Sequence, residues 1–384
     1  MHNFSFHNPT NIVFGEGQIS ALRNLLPTQA KILLLYGGGS IKKNGVYDQV
    51  VHALEGKTFW EFAGIQPNPQ YETLLQAVAL IKQQQIDFLL AVGGGSVIDA
   101  AKFIAGAVNF AGDPWNILAK HARIKSALPI GCVLTLPATG SESNGNSVIS
   151  KAASQEKLSF YSPLVYPQFA ILDPATTYSL PWRQVANGVV DAFVHIMEQY
   201  LTYPVNAKVQ DRFAEGLLLT LIEEGPKLAS APHDYATRAN IMWAATMALN
   251  GLIGAGVPQD WATHALGHEI TALHGLDHAQ TLAIVLPALM QQQRAQKREK
   301  IIQYGKRVWN LSGSDEEQLI DAAIAATQNF FAAMGVPTRL SSYGLNGESI
   351  ATLVANLTAH NNLPIGENRN IDAQIAEDIL TAAI

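Results

Sequence analysis

The sequence has very little cysteine, little charge and no long apolar run, and each shortage removes a class of protein. A single cysteine, Cys132, among 384 residues allows no disulfide within the chain and no multi-thiolate metal site. Charged residues make up 15% and the net charge is −6, which leaves no basic surface suited to nucleic acid or an anionic membrane. No stretch of about eighteen apolar residues occurs, so no membrane-spanning helix is expected. The opening residues, Met1 to Thr10, lack the basic flank and apolar centre of a secretory signal. What is left is a cytoplasmic globular protein, and at 48% hydrophobic residues it has ample material for a large core.

The first half alternates strands with helices. The pattern predicts an opening hairpin over 4–7 and 11–14, then strands over 31–36, 58–62, 88–92, 130–136, 148–150 and 169–172, with helices between. Fully apolar strands such as Lys31-Ile-Leu-Leu-Leu-Tyr36 belong to a parallel sheet covered on both faces. Beyond Leu180-Pro181 only helical periodicity remains. The expected organisation is an α/β domain over 1–178 and an all-helical domain over 179–384.

Three loops leave the ends of the apolar strands. Gly37-Gly38-Gly39-Ser40 and Gly93-Gly94-Gly95-Ser96 repeat one motif, and Thr135-Leu136-Pro137-Ala138-Thr139-Gly140-Ser141-Glu142 is the third. Backbone without side chains lets amide N–H groups approach phosphate oxygens, and a following helix adds its dipole. Glycines can also merely permit tight turns, but three such loops in one sheet favour phosphate binding. Ser96 and Asp99 read as a variant capping box. Neither Gly-Gly-Gly-Ser loop fits G-x-G-x-x-G, and no phosphate-loop lysine follows, so a standard Rossmann or kinase site is excluded.

The densest chemistry lies between Asp260 and His278, where four of the 11 histidines fall: His264, His268, His274 and His278. Ala262, Leu266, Ile270 and Leu273 give an apolar helical face and Gly275 a stop. His264 and His268 are one turn apart, and His278 follows the stop, on a segment able to fold back. A second apolar helix carries Asp191 and His195 at the same spacing. One Asp-x-x-x-His pair is more often a surface hydrogen bond. Two clusters on apolar helices favour a divalent ion held by Asp191, His195, His264 and His278. The zinc-protease motif begun by His268-Glu269 fails at Ala272.

These residues carry a resemblance. The loop and helix from Gly93 through Asp99 to Lys102, the loop 135–142, Asp191-x-x-x-His195, and His264-x-x-x-His268 with His278 resemble the iron-containing, group III alcohol dehydrogenases, in their NADPH-dependent aldehyde reductase and butanol dehydrogenase branch. The resemblance runs end to end. It implies a Rossmann-like N-terminal domain with an all-α C-terminal domain, a dehydroquinate synthase-like architecture, and a homodimer. It implies NADP(H) on Gly38, Gly39, Ser40, Asn68, Gly94, Gly95, Ser96, Asp99, Thr135, Leu136, Thr139, Ser141 and Lys157. It implies one divalent ion, Fe²⁺ or Zn²⁺, on the four residues named, with His268 the candidate proton relay. The implied reaction is reduction of short- to medium-chain aldehydes to primary alcohols, and its reverse. NAD-using members often carry an acid near Gly38; here none lies between Gly37 and Asp48, while Lys42 and Lys43 lie close in sequence.

Three other readings compete. A polyol dehydrogenase of glycerol type would require a vicinal diol. A metal-dependent hydrolase or lyase of a phosphate ester would turn over without nicotinamide. A nucleotide-binding protein with a structural metal would bind the coenzyme and transfer no hydride.

Overall fold

A computed structural model of the chain describes residues 1–360 and 362–384. Contacts divide them into two compact units: His7–Pro181 with Pro232–Thr246, and Met1–Phe6 with Trp182–Ala231 and Met247–Ile384. A single cut at 178/179 therefore does not describe the chain. The N-terminal tip belongs with the helical unit, and one helical segment belongs with the sheet.

The first unit holds β1 (Asn11–Phe14), α1 (Leu22–Leu25), β2 (Lys31–Tyr36), α2 (Val46–Ala53), β3 (Thr58–Phe62), α3 (Tyr71–Gln84), β4 (Phe88–Gly94), α4 (Gly95–Ala107), α5 (Asn116–Ala119), β5 (Ile130–Leu136), β6 (Asn146–Lys151), β7 (Glu156–Tyr161) and β8 (Phe169–Leu172). Six strands form a parallel sheet in the order β1-β8-β5-β4-β2-β3. Alternation along β2 explains its unbroken apolar sequence. Ile32, Leu34 and Tyr36 pack with Val46 and Val50 of α2, while Leu33 and Leu35 pack with Leu74 and Val78 of α3 and Ile98 and Phe103 of α4. Burial on both faces leaves no polar position to alternate with.

Three local expectations are corrected. No strand forms over 4–7: β1 runs parallel to β8, with Asn11 beside Phe169, and the segment before it is held elsewhere by His2 N–H donating to Gly256 O at 2.9 Å. The segment 148–150 is part of a separate antiparallel hairpin, β6 with β7; the half-exposed, polar β7 has too little apolar alternation to announce itself. The capping box does not form. Helix α4 starts at Gly95 with no side-chain cap, and Asp99 turns to Ser141 and Val148 instead.

The second unit contains α6 (Trp182–Tyr200), α7 (Lys208–Glu224), most of the remaining helices being α9 (Ala262–His274), α10 (His278–Gln292), α11 (Arg298–Arg307), α12 (Glu316–Ala333), α13 (Ile350–Ala359) and α14 (Ala373–Ala382). Helix α8 (Tyr235–Ala248) lies almost wholly with the sheet unit. Its Met242 joins the sheet's core. Helix α6 is buried almost all round, from Val185 to Tyr200, so each polar residue in that span needs a chemical reason. Gly267 has a packing reason: a Cβ there would meet Thr281 Oγ1 at 2.9 Å and a Leu282 methyl at 3.1 Å, so glycine lets α10 close on α9. Among the described residues no helix is long and apolar enough to cross a membrane.

Candidate functional site

Three elements of the helical unit bring Asp191, His195, His264 and His278 together. Asp191 and His195 lie one turn apart on α6, His264 is in the first turn of α9, and His278 opens α10. Three imidazole Nε2 atoms surround Asp191 Oδ1: His195 at 3.6 Å, His278 at 3.8 Å and His264 at 4.0 Å. Asp191, His195 and His264 offer ligand atoms all within 4.8 Å of one another. Asp191 is 3% exposed, and its Oδ1 takes no hydrogen bond. A buried carboxylate oxygen without a donor is costly, and a divalent cation among these nitrogens offsets that cost. The set of three nitrogens and one oxygen fits Zn²⁺ and Fe²⁺ alike.

The neighbouring residues fix this arrangement. Asp277 caps α10 through a capping box with Gln280. It is held in turn by Arg183 Nε and Asn187 Nδ2 of α6 at 2.8 and 2.7 Å, so His278 is placed from the helix that carries Asp191. His268 lies beside the cluster, its ring 6.0 Å from that of His264 and 5.1 Å from that of His278. His274 is elsewhere, with Nε2 3.0 Å from Ser349 Oγ.

In the sheet unit, β2 and β4 are neighbours, and from β2 the chain moves to β3 on one side and β4 on the other. The two Gly-Gly-Gly-Ser loops thus flank the topological switch point, where open α/β sheets take ligands. The loop after β5 leaves the same edge, as does Asn68, in the segment after β3 with φ of 54°. The fit between loops is tight: a Cβ on Gly95 would lie 2.3 Å from Thr139 Oγ1. Gly38 is different, with nothing within 4 Å of a built Cβ.

Several polar side chains here are occupied within the unit. Ser141 Oγ donates to Asp99 Oδ1 at 2.5 Å, and Lys102 Nζ donates to Ser141 Oγ, Asn144 Oδ1 and Asn146 O at 2.7–2.9 Å. Burial pulls the Lys102 ammonium down to about 8 against the opposing Asp99 charge. Lys157, on β7, adds its charge to those around Asp99. Asp99, Ser141 and Lys102 thereby pin the third loop to α4.

The chain matches known proteins over its whole length. Residues 9–174 match the iron-containing alcohol dehydrogenase family, and residues 185–384 match the C-terminal region of the Fe-containing alcohol dehydrogenase family. The chain belongs to the iron-containing alcohol dehydrogenases. It is 60% identical to the NADPH-dependent aldehyde reductase YqhD of Escherichia coli, covering 100% of both chains. It is 41% identical to a probable NADH-dependent butanol dehydrogenase of Bacillus subtilis over 100% of both. A crystal structure of the Escherichia coli protein superposes with a TM-score of 0.99, covering 100% of this chain and 99% of that one. The NADH-dependent butanol dehydrogenase A of Thermotoga maritima superposes at 0.96 with 37% identity, covering 100% and 99%.

This iron-containing alcohol dehydrogenase is therefore an oxidoreductase, and the hydrolase, lyase and non-catalytic readings fall. The polyol alternative is not favoured by relatives named for aldehydes and butanol. Two residues of its site environment escaped the sequence. Glu198, seven positions after Asp191 on α6, accepts from His264; the spacing places it near the same face and was the available signal. Burial pushes its carboxyl up to about 8, the Asp260 charge adds to the rise, and the His264 amide opposes it; a cation in the cluster also acts downward. Glu61, on β3, has no signal in local sequence. Strand pairing sets it beside Leu34 of β2, where it takes the hydroxyls of Tyr36 and Tyr47 at 2.6 Å each and Lys42 Nζ at 3.2 Å. The charge expected of Lys42 is thus largely countered.

Proposed function

We propose that this iron-containing alcohol dehydrogenase reduces short- to medium-chain aldehydes to primary alcohols with NADPH, and runs the reverse, at one divalent ion held by Asp191, His195, His264 and His278. The observation that carries this reading is the convergence of three imidazoles on one buried carboxylate oxygen, in a chain of this family. When bound, the ion supplies Lewis acidity toward a carbonyl oxygen and the coenzyme supplies hydride. The protein's part is to hold four ligand side chains ready, and to keep an imidazole, His268, beside them for proton delivery.

The relatives' names divide between the two coenzymes, so the preference for NADPH rests on this chain. Gly38 and Ser40 are exposed, with backbone amides and a hydroxyl suited to a 2′-phosphate. Glu61, the carboxylate drawn near this loop, has both oxygens taken by phenols, and Lys43 adds charge. The test follows NADPH consumption with butanal, before and after chelation and on return of Zn²⁺ or Fe²⁺. The kcat/KM ratio of NADPH to NADH should exceed unity and fall steeply in Gly38→Asp, since a carboxylate repels the 2′-phosphate. The open space around Gly38 means the substitution should fold. A wild-type ratio at or below unity overturns the coenzyme assignment, and an unchanged ratio in the variant places the reading of the phosphate elsewhere.

For the relay, His268→Ala should keep its metal and lose about ten- to a thousandfold in kcat. Wild-type turnover across the pH range in that variant removes His268 from the mechanism. A homodimer and a cytoplasmic location complete the proposal. The first is supported by the open edge of β1 and by Phe14 and Trp243, 39% and 43% exposed and packed edge to face; the second is in keeping with a single buried thiol.

A further inference from the structure

Helix α6 holds α9 at one further point. Asp260 N–H, just before α9, donates to Glu198 O at 2.9 Å. The Glu198 side chain, itself 3% exposed, meets two groups of the same residue: its Oε1 takes the His264 backbone N–H at 3.2 Å, and its Oε2 lies against His264 Nδ1. Two oxygens face two nitrogens. The amide N–H can only donate, and an imidazole Nδ1 against an ionised carboxylate donates as well. With Nδ1 carrying the proton, Nε2 of the neutral ring is left as a lone-pair donor, and Nε2 is the atom 4.0 Å from Asp191 Oδ1.

We propose that Glu198 is a positioning residue for the metal site: its carboxylate takes both N–H groups of His264 and so locks the imidazole as the Nδ1–H tautomer, with Nε2 aimed at the ion. This rests on the metal reading above. It explains why a second carboxylate, besides Asp191, stands in the buried span of α6. The single bond that a neutral residue could make would leave one of two buried donors facing nothing. It also defines one functional stripe on α6, with Asp191 and His195 as ligands and Glu198 holding the ligand from α9. Rotation of the His264 ring would move Nε2 off the cluster, and the bond to Glu198 opposes that rotation at no cost to the ligand's charge.

Glutamine keeps the shape of Glu198 but offers one acceptor, its amide group facing a donor. Zn²⁺ affinity, measured by chelator competition, should fall about ten- to a hundredfold in Glu198→Gln, the range for groups that orient a ligand from behind. In Glu198→Asp two acceptors survive on a shorter arm, and the loss should be smaller. Nitrogen-15 spectra of the metal-free protein, recorded above the raised Glu198 carboxyl pKa of about 8 so that both its oxygens accept, give a second readout that a merely structural role would not move. His264 should be an Nδ1–H tautomer in wild type and in Glu198→Asp, and shift toward Nε2–H in Glu198→Gln. Should Glu198→Gln fail to fold, the wild-type and Glu198→Asp tautomers decide. A wild type that binds no Zn²⁺ sinks the metal reading and this proposal with it. A wild type that binds, with Glu198→Gln within twofold of it or with His264 as Nε2–H in the wild type, overturns the positioning role alone.

Discussion

Replacing His264 and His278 together with alanine should leave a folded protein that no longer retains its divalent ion. Two of the four proposed ligands would be lost, one from the first turn of α9 and one from the start of α10. The two that remain, Asp191 and His195, sit on one helix and cannot enclose a cation. Metal content should drop from about one ion per chain to near zero. Lewis-acid stabilisation of developing charge is worth several kcal/mol, so aldehyde reduction should fall at least about a thousandfold. Elemental analysis of the purified variant, beside a far-ultraviolet spectrum to show that it folds, is the check. Undiminished metal would remove these residues as ligands, and loss of activity with metal retained would point to a different role for them.

The second large effect concerns stability. Lys297 Nζ is buried among Leu201 O at 2.7 Å, Asp260 Oδ2 at 2.6 Å and both oxygens of Glu367 at 2.8 Å. One ammonium thus serves two buried carboxyls. Burial and its hydrogen bond with Asp260 push Glu367 up to about 7, whereas Lys297 and the same bond hold Asp260 below its ordinary value against the effect of burial. In Lys297→Met the carboxyls lose their only cation among the groups that contact them here, and the cost should be about 3–5 kcal/mol. It should be read as a lower denaturant midpoint at unchanged slope. Adding Glu367→Gln should recover part of the loss, because one of two unpaired acids is gone. A shift below about 1 kcal/mol would mean that water reaches the site. The same change should loosen α9 at its start, since Asp260 Oδ1 also takes the Ala262 amide at 2.7 Å. The proposed metal site and the stability of its unit are therefore coupled through Asp260.

Much of this was legible in the chain. Sequence periodicity alone located β2, β5 and β8 to the residue, because strands buried on both faces read as near-continuous apolar runs. It also set Asp191 and His195, and His264 and His268, on shared helical faces, because the spacing of four is fixed by helix geometry. The presence of four candidate ligands on apolar helices was a statement about composition in context, and it needed no coordinates. Other facts depend on elements distant in sequence. Strand order decided that both glycine loops flank the switch point, and that β1 lies against β8 instead of forming a hairpin. Strand pairing brought Glu61 to Lys42, and helix packing through Gly267 brought α10 against α9. The convergence of His278 on Asp191 and the grip of Glu198 on His264 span 87 and 66 residues, and no local pattern encodes such a distance. Local sequence determines which side chains share a face. Only burial, paid in desolvated charge that must find a partner, decides which faces meet.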